Sequence, residues 1–309
     1  MKPAFSVIFL TTLIGAGQGL FLALIAAELM LQPSPELRAY LVTGDIVVLG
    51  FCCLGLVASF FHLGRPERFW RTAAMWRSSW LSREVIILPG FMGGVFLHGL
   101  SHYLSQGPAV LVGLVTALTA LALYVCTAMV YASIRFLQEW ASPLTVANYT
   151  LLGLASGFTL STLLAGALAP GLATGCALGA SLFTLAGFVS RGASLLRNAR
   201  LKPKSTTQTA IGIKHPKIVQ KSQGFMGGSF NTREFFHGSS AATLRSVKWS
   251  FLLLVFPIPL LFMMTGLRAG SLPMLAAAFT LQYLGMLAER WFFFAQANHP
   301  QNLYYQNIS

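Results

Sequence analysis

Residues 59–84 read SFFHLGRPERFWRTAAMWRSSWLSRE and lie between two long apolar runs, at about 40–61 and 84–104. Five arginines, three tryptophans and one histidine crowd into this short stretch. An apolar run of about 20 residues is what a helix needs to cross the hydrocarbon core of a bilayer. The stretch therefore reads as a loop joining two membrane crossings. Its arginines and tryptophans fall at headgroup depth, and His62 and Glu84 are brought to the same edge of the membrane.

On either side of this pair, six more apolar runs lie at about 5–31, 109–134, 144–168, 171–190, 249–267 and 272–295. The 309 residues are 55% hydrophobic and only 9% charged, against roughly 25% charged in a soluble domain. Lipid offers no partner for an unpaired backbone group, so a spanning chain must be helical or a closed barrel. The short alternating segments of a barrel are absent. The expected fold is an all-α integral membrane protein, a bundle of eight transmembrane helices forming a single domain over residues 1–309. A basic loop at about 198–248 separates spans six and seven. The first run is followed by Gln32-Pro33-Ser34-Pro35 without a small-residue cleavage motif, so it reads as a retained span rather than a signal peptide.

The formal charge is +13, and its distribution follows the spans. Lys2, the five loop arginines, Arg135, eleven basic residues from Arg191 to Lys248, and Arg290 fall on one side, leaving Arg38 and Arg268 opposite. By the positive-inside rule, both termini and the arginine-rich loop are expected to be cytoplasmic. Topology is the main cause of this charge, contact with anionic lipid or an acidic partner can use the same residues, and no nucleic-acid partner is implied.

Resident redox centres are not expected. Cys52, Cys53, Cys126 and Cys176 all lie in apolar runs without the clustering an iron–sulfur centre requires, so they read as small packing residues. Of the histidines, His62, His98 and His102 lie in or near spans, too few for the four axial ligands of a two-haem cytochrome. His98 and His102 share a helix face and can bind a metal, but one span supplies only part of a shell, with no Cys or carboxylate beside them. They read as a hydrogen-bonded pair near the membrane edge. No haem, iron–sulfur cluster or metal is expected in this chain.

Within the loop, Pro66 suits the first turn of a short helix, along which Arg65, Arg68 and Arg71 recur every three residues. Interfacial anchoring accounts for most of the arginines and tryptophans. His62, Arg68 and Glu84 admit a second reading. A quinone head group at the membrane edge needs hydrogen-bond partners for two carbonyls and groups that exchange protons, and a histidine beside a carboxylate supplies them. A backbone contact for His62 and an Arg68–Glu84 ion pair is an equal alternative on these residues alone.

Glu28 and Asp45, at the end of span one and the start of span two, are candidates for a proton route. Gly15 and Gly19 have the small-residue spacing of a close helix crossing, with Gln18 between them as helix glue. In the basic loop, Gly224 to Gly238 carries Phe225, Met226, Phe230, Phe235 and Phe236 around Arg233. That segment suggests docking on a partner, whereas the rest of the loop has a composition that hardly folds alone.

The run FHLGRPERFWR at 61–71 followed by SWLSRE at 79–84 resembles the signature of the membrane anchor subunits of dimethyl sulfoxide reductase-type molybdoenzymes. So do KPAFSVIFLTTLIGAGQG at 2–19, FNTREFFHG at 230–238 and AERWFFFA at 288–295. The resemblance implies an eight-helix anchor in the bacterial cytoplasmic (inner) membrane, without a metal centre of its own. It would hold a molybdopterin catalytic subunit and a ferredoxin-like, four-cluster iron–sulfur subunit, and exchange electrons with the quinone pool.

Family positions tied to quinol fall on His62, Gly64, Arg68 and Glu84. Arg65 and Glu67, flanking Pro66, depart from the smaller or apolar residues of some relatives. At these positions the chemistry of the side chains leads us to expect that His62 hydrogen-bonds one quinone oxygen, Glu84 relays protons and Arg68 fixes Glu84 and tunes its pKa. Phe230, Arg233, Phe235 and Phe236 would dock the iron–sulfur subunit. The opening segment is most similar to the branch serving sulfite-oxidising enzymes, which implies sulfite oxidation coupled to quinone reduction, with the partners on the cytoplasmic face. Quinol-driven reduction of an S-oxide or N-oxide is the alternative within the family. Outside it stand a purely structural anchor and a secondary transporter. A transporter should carry repeated halves and midplane polar groups, whereas the polar groups here gather at one face.

Overall fold

The computed structural model describes residues 1–105, 107, 109–219, 221 and 235–300. Among them, eight helical segments are long and apolar enough to cross a membrane, as expected, and every regular element is helical. They are α1 (Phe5–Met30), α2 (Pro35–Phe60), α3 (Trp80–Leu104), α4 (Ala109–Ala132), α5 (Pro143–Leu168), α6 (Pro170–Ala199), the broken pair α8 (Ala241–Val255) and α9 (Pro257–Ala269), and α10 (Leu272–Ala295). The short α7 (Thr207–Ile211) lies in the basic loop. Residues 66–75 between α2 and α3 form a 3₁₀ helix. The end of the bundle that carries residues 59–84 is the loop face, and the end at the α1–α2 turn is the far face.

Several helices start or end beyond the apolar run that announced them. Ser34 accepts a hydrogen bond from Leu37 N, and Pro35 occupies the first turn, so α2 begins five residues before its apolar stretch. Ser240 caps α8 in the same way. Helix α6 continues nine residues past the apolar limit, because Arg191 and Arg197 find partners on neighbouring elements. Hydropathy marks the depth of the lipid, and capping marks the helix.

The break between α8 and α9 has a local cause. Pro259 has no N–H to offer the carbonyl four residues earlier, Val255 O. Gln282 Nε2 of α10 donates to that carbonyl at 3.2 Å and to Thr184 Oγ1 of α6 at the same distance. A carbonyl that would be orphaned in lipid is satisfied by a neighbouring helix.

The centre of the bundle is the crossing of α1 and α5. A Cβ added at Gly19 would lie 2.3 Å from Gly153 O, and one at Gly157 would lie 2.2 Å from Gly19 C. Only hydrogen fits at these positions, so the backbones touch. Gln18 Nε2 donates to Ala120 O at 2.9 Å and joins α1 to α4. Cys52, Cys126 and Cys176 are buried as expected, whereas Cys53 lies exposed on the outer surface of α2.

Candidate functional site

At the loop face, α2 ends at Phe60, and His62 follows within a turn closed by its backbone N–H to Ser59 O. The imidazole is exposed, with no hydrogen-bond partner among the described residues. Partial burial lowers its pKa below the usual 6.5, so the ring is neutral at pH 7. Gly64 is also exposed, and a Cβ built there meets nothing within 4 Å.

In the 3₁₀ helix that follows, residues three apart eclipse one another, which aligns Arg65, Arg68 and Arg71. Arg71, Arg77 and Arg83 stack over Trp70, Trp76 and Trp80, with the closest guanidinium 4.2 Å from its ring centroid. Arg83 also donates to the Trp76 and Arg77 carbonyls, both at 2.9 Å. These are the contacts of an interfacial belt.

Glu84 lies in the second turn of α3, half-buried, and its Oε1 accepts from Thr127 Oγ1 of α4 at 2.7 Å. Arg68 Nε lies 3.7 Å from Glu67 Oε1, with both side chains exposed. In place of the ion pair expected between Arg68 and Glu84 stand one exposed ion pair, Arg68 with Glu67, and one hydrogen bond, Thr127 to Glu84.

Beside His62, an apolar groove of about 570 Å³ runs between α1, α2 and α10. Phe5, Phe9, Leu54, Val57, Phe61 and Tyr283 are among the residues lining it. It is open along its length and ends at the residue preceding His62.

A model of the DMSO reductase anchor subunit (DmsC) matches residues 1–305. The chain belongs to this family. The sulfite dehydrogenase C subunit of Allochromatium vinosum is 51% identical to it over 326 aligned positions that span the whole of both chains.

In this DmsC-family chain, the residues singled out from the sequence separate into three places. His62, Gly64, Arg68 and Glu84 share the loop face. Glu28 and Asp45 lie at the far face, where they join His98 and His102. His98 Nδ1 is 2.8 Å from Asp45 Oδ2, His98 Nε2 is 3.1 Å from Glu28 Oε2, and His102 Nε2 is 2.9 Å from Glu28 Oε1. The fourteen residues of helix from Glu84 to His98 separate the two faces by about 21 Å. Phe235 and Phe236 are half-buried, with Phe235 stacked on His299 at 4.0 Å. Phe230 and Arg233 lie outside the described residues.

One cluster in the loop-face half does more than the topological role that a count of positive charges assigns to its arginines. Glu289 of α10 is fully buried and pairs with Arg191 Nε at 2.8 Å and Arg290 Nη1 at 3.1 Å. Arg290 lies 3.5 Å over the ring of Tyr149, which stacks on Tyr131. A polar line therefore runs from Tyr131 through Tyr149 to Arg290, Glu289 and Arg191. The one clue in the sequence is that Glu289 is the only acid in its span.

Proposed function

We propose that this chain is the membrane anchor and quinone-reactive subunit of a molybdopterin and iron–sulfur oxidoreductase complex that passes electrons from sulfite to quinone. The observation that carries the reading is the 51% identity, over the full length of both chains, to a protein named as the C subunit of a sulfite dehydrogenase. The complex would lie in the bacterial cytoplasmic membrane. Its ferredoxin-like, four-cluster iron–sulfur subunit would dock on the loop face, with the molybdopterin subunit beyond it.

The half-reactions balance without a redox centre in this chain. Sulfite and water give sulfate, two protons and two electrons in the catalytic subunit, and quinone takes two electrons and two protons to become quinol. An exchangeable quinone, its prenyl tail along the apolar groove, would bring its head group to His62. The neutral imidazole offers one N–H to a quinone oxygen. Glu84, half-buried at the same face and tied to Thr127, is suited to deliver protons. Arg68, exposed and paired with Glu67, is assigned to the rim of this site or to the docked partner.

The test is sulfite-dependent quinone reduction by the purified complex. His62→Ala should lower turnover by about 10²-fold or more, while sulfite oxidation with a soluble electron acceptor continues at the wild-type rate. Unchanged quinone turnover in this variant would remove His62 from the site. Insensitivity of the wild-type complex to quinone-site inhibitors would leave the chain a passive anchor.

A further inference from the structure

The far-face cluster has the construction of a metal site. We infer that Glu28, His98 and His102 bind a transition-metal dication of the zinc class, with Asp45 orienting His98 from behind. The ligand atoms come from two helices: the Glu28 carboxylate from the last turns of α1, and the two Nε2 atoms from the last turns of α3. All lie within 4.8 Å of one another. Two imidazoles and one carboxylate, with a fourth position left for water, form a set that zinc commonly takes.

Three further observations set this cluster apart from a chance gathering of polar groups. First, His98 turns its other ring nitrogen to Asp45 Oδ2 at 2.8 Å. A carboxylate on the far nitrogen fixes the tautomer and leaves Nε2 free to ligate, the usual support for a metal-bound histidine. Second, the burial is graded. His98 is 0% exposed and Asp45 2%, while Glu28 is 7% and His102 18% exposed. The supporting pair is sealed, and the outer ligands reach toward the far-face water, from which an ion can enter.

Third, glycines on α3 itself and on α4 let the chain pack closely around the Asp45–His98 pair. A Cβ at Gly99 would lie 3.1 Å from Asp45 Cβ, and one at Gly113 of α4 would lie 3.0 Å from the His98 ring. One Asp45 oxygen is buried without a hydrogen-bond partner, and Arg38 gives its guanidinium to the Tyr103 carbonyl. Among the described residues neither Glu28 nor Asp45 pairs with a lysine or arginine, which leaves their oxygens to the two histidines and a bound ion. The sequence could not show this, because the carboxylate that completes the histidine pair lies seventy residues away on another span.

The site is tested on the intact complex in detergent, by zinc content after equilibration and by the visible absorption of Co²⁺ added in its place. The expected result is one Zn²⁺ per copy of this chain, with ligand-field bands of low-coordinate Co²⁺. His102→Ala and Glu28→Gln should each weaken zinc binding by 100-fold or more, and Asp45→Asn should weaken it by about 10–100-fold. Wild-type protein should gain thermal stability with added zinc, and the variants should not.

Absence of Co²⁺ bands in the wild-type complex would overturn the site without any variant having to fold. Zinc retained at wild-type affinity by His102→Ala and Glu28→Gln would also overturn it, assigning the ion to other histidines such as His215 or His237. In that case the cluster is a metal-free hydrogen-bonded network with His98 between two acids. None of these outcomes depends on quinone turnover.

Discussion

At the scale of single residues, His62 and Gly64 separate what the chain needs for folding from what a ligand needs of it. A Cβ at Gly64 touches nothing in the chain, so Gly64→Ala should leave the melting temperature of the solubilised protein unchanged. If a quinone or a partner backbone packs there, the same substitution should raise KM for quinone several-fold, and steady-state kinetics beside a melting curve checks both halves. His62 sets a pH dependence. Its folded pKa lies below 6.5, so the unfolded chain binds more protons in that window. The neutral ring is present above pH 6.5 and is lost as pH falls through the lowered value. Quinone turnover should therefore hold down to about pH 6.5 and decline below it, and His62→Gln should remove that acid limb. Glu84→Gln keeps an acceptor for Thr127 but loses the exchangeable proton. It should lower kcat with little change in KM, the signature of a group used in the reaction rather than in binding.

At the scale of elements, the α1–α5 crossing and the Glu289 triad give opposite lessons about what a sequence reveals. Gly15 and Gly19 announced a close helix contact through their spacing, and the backbone touches at Gly19 and Gly157. Adding a methyl group at Gly157 forces the helices apart, so Gly157→Ala should cost about 1–3 kcal/mol or more. Gly50→Ala, at an open position on α2, should be neutral or slightly stabilising. Thermal denaturation in detergent compares the two. The triad was hidden because Arg191 and Arg290 also fit a count of positive charges on one side, and nothing in a linear sequence joins Arg191 to a glutamate 98 residues later. Glu289→Gln leaves two guanidinium groups buried without their counter-charge, a change expected to cost about 3–5 kcal/mol. The double variant Glu289→Gln with Arg191→Gln should be less damaged than the sum of the single changes, and a double-mutant cycle on melting data measures that coupling. Helix number and approximate spans were legible because lipid imposes a length on apolar runs. The far-face site and the triad were not, because both are assembled from residues on different spans.

At the scale of the whole molecule, the two faces of the bundle differ in what they offer a partner. The loop face carries the 3₁₀ helix and its C-cap, with Phe69, Trp70 and Trp76 exposed, the basic loop, and the ends of α6 and α10 that hold the buried arginines. The far face offers short turns and the Glu28–His98–His102 cluster. In the proposed function an iron–sulfur partner that passes electrons to a quinone at His62 would dock on the loop face, and the positive-inside rule gives the expectation that this face is cytoplasmic. Substituted-cysteine labelling decides it. In a background without the four native cysteines, Ser205→Cys in the basic loop and Gln32→Cys in the α1–α2 turn both present an exposed thiol. With an impermeant maleimide on inside-out vesicles, Ser205→Cys should label at once and Gln32→Cys only after the membrane is opened. Right-side-out vesicles should give the reverse. Docking of the iron–sulfur subunit should then protect Ser205→Cys and leave Gln32→Cys untouched. Labelling of Gln32→Cys from the cytoplasmic side would invert the bundle, placing the catalytic partners outside the cytoplasm and turning the water-facing metal ligands toward it.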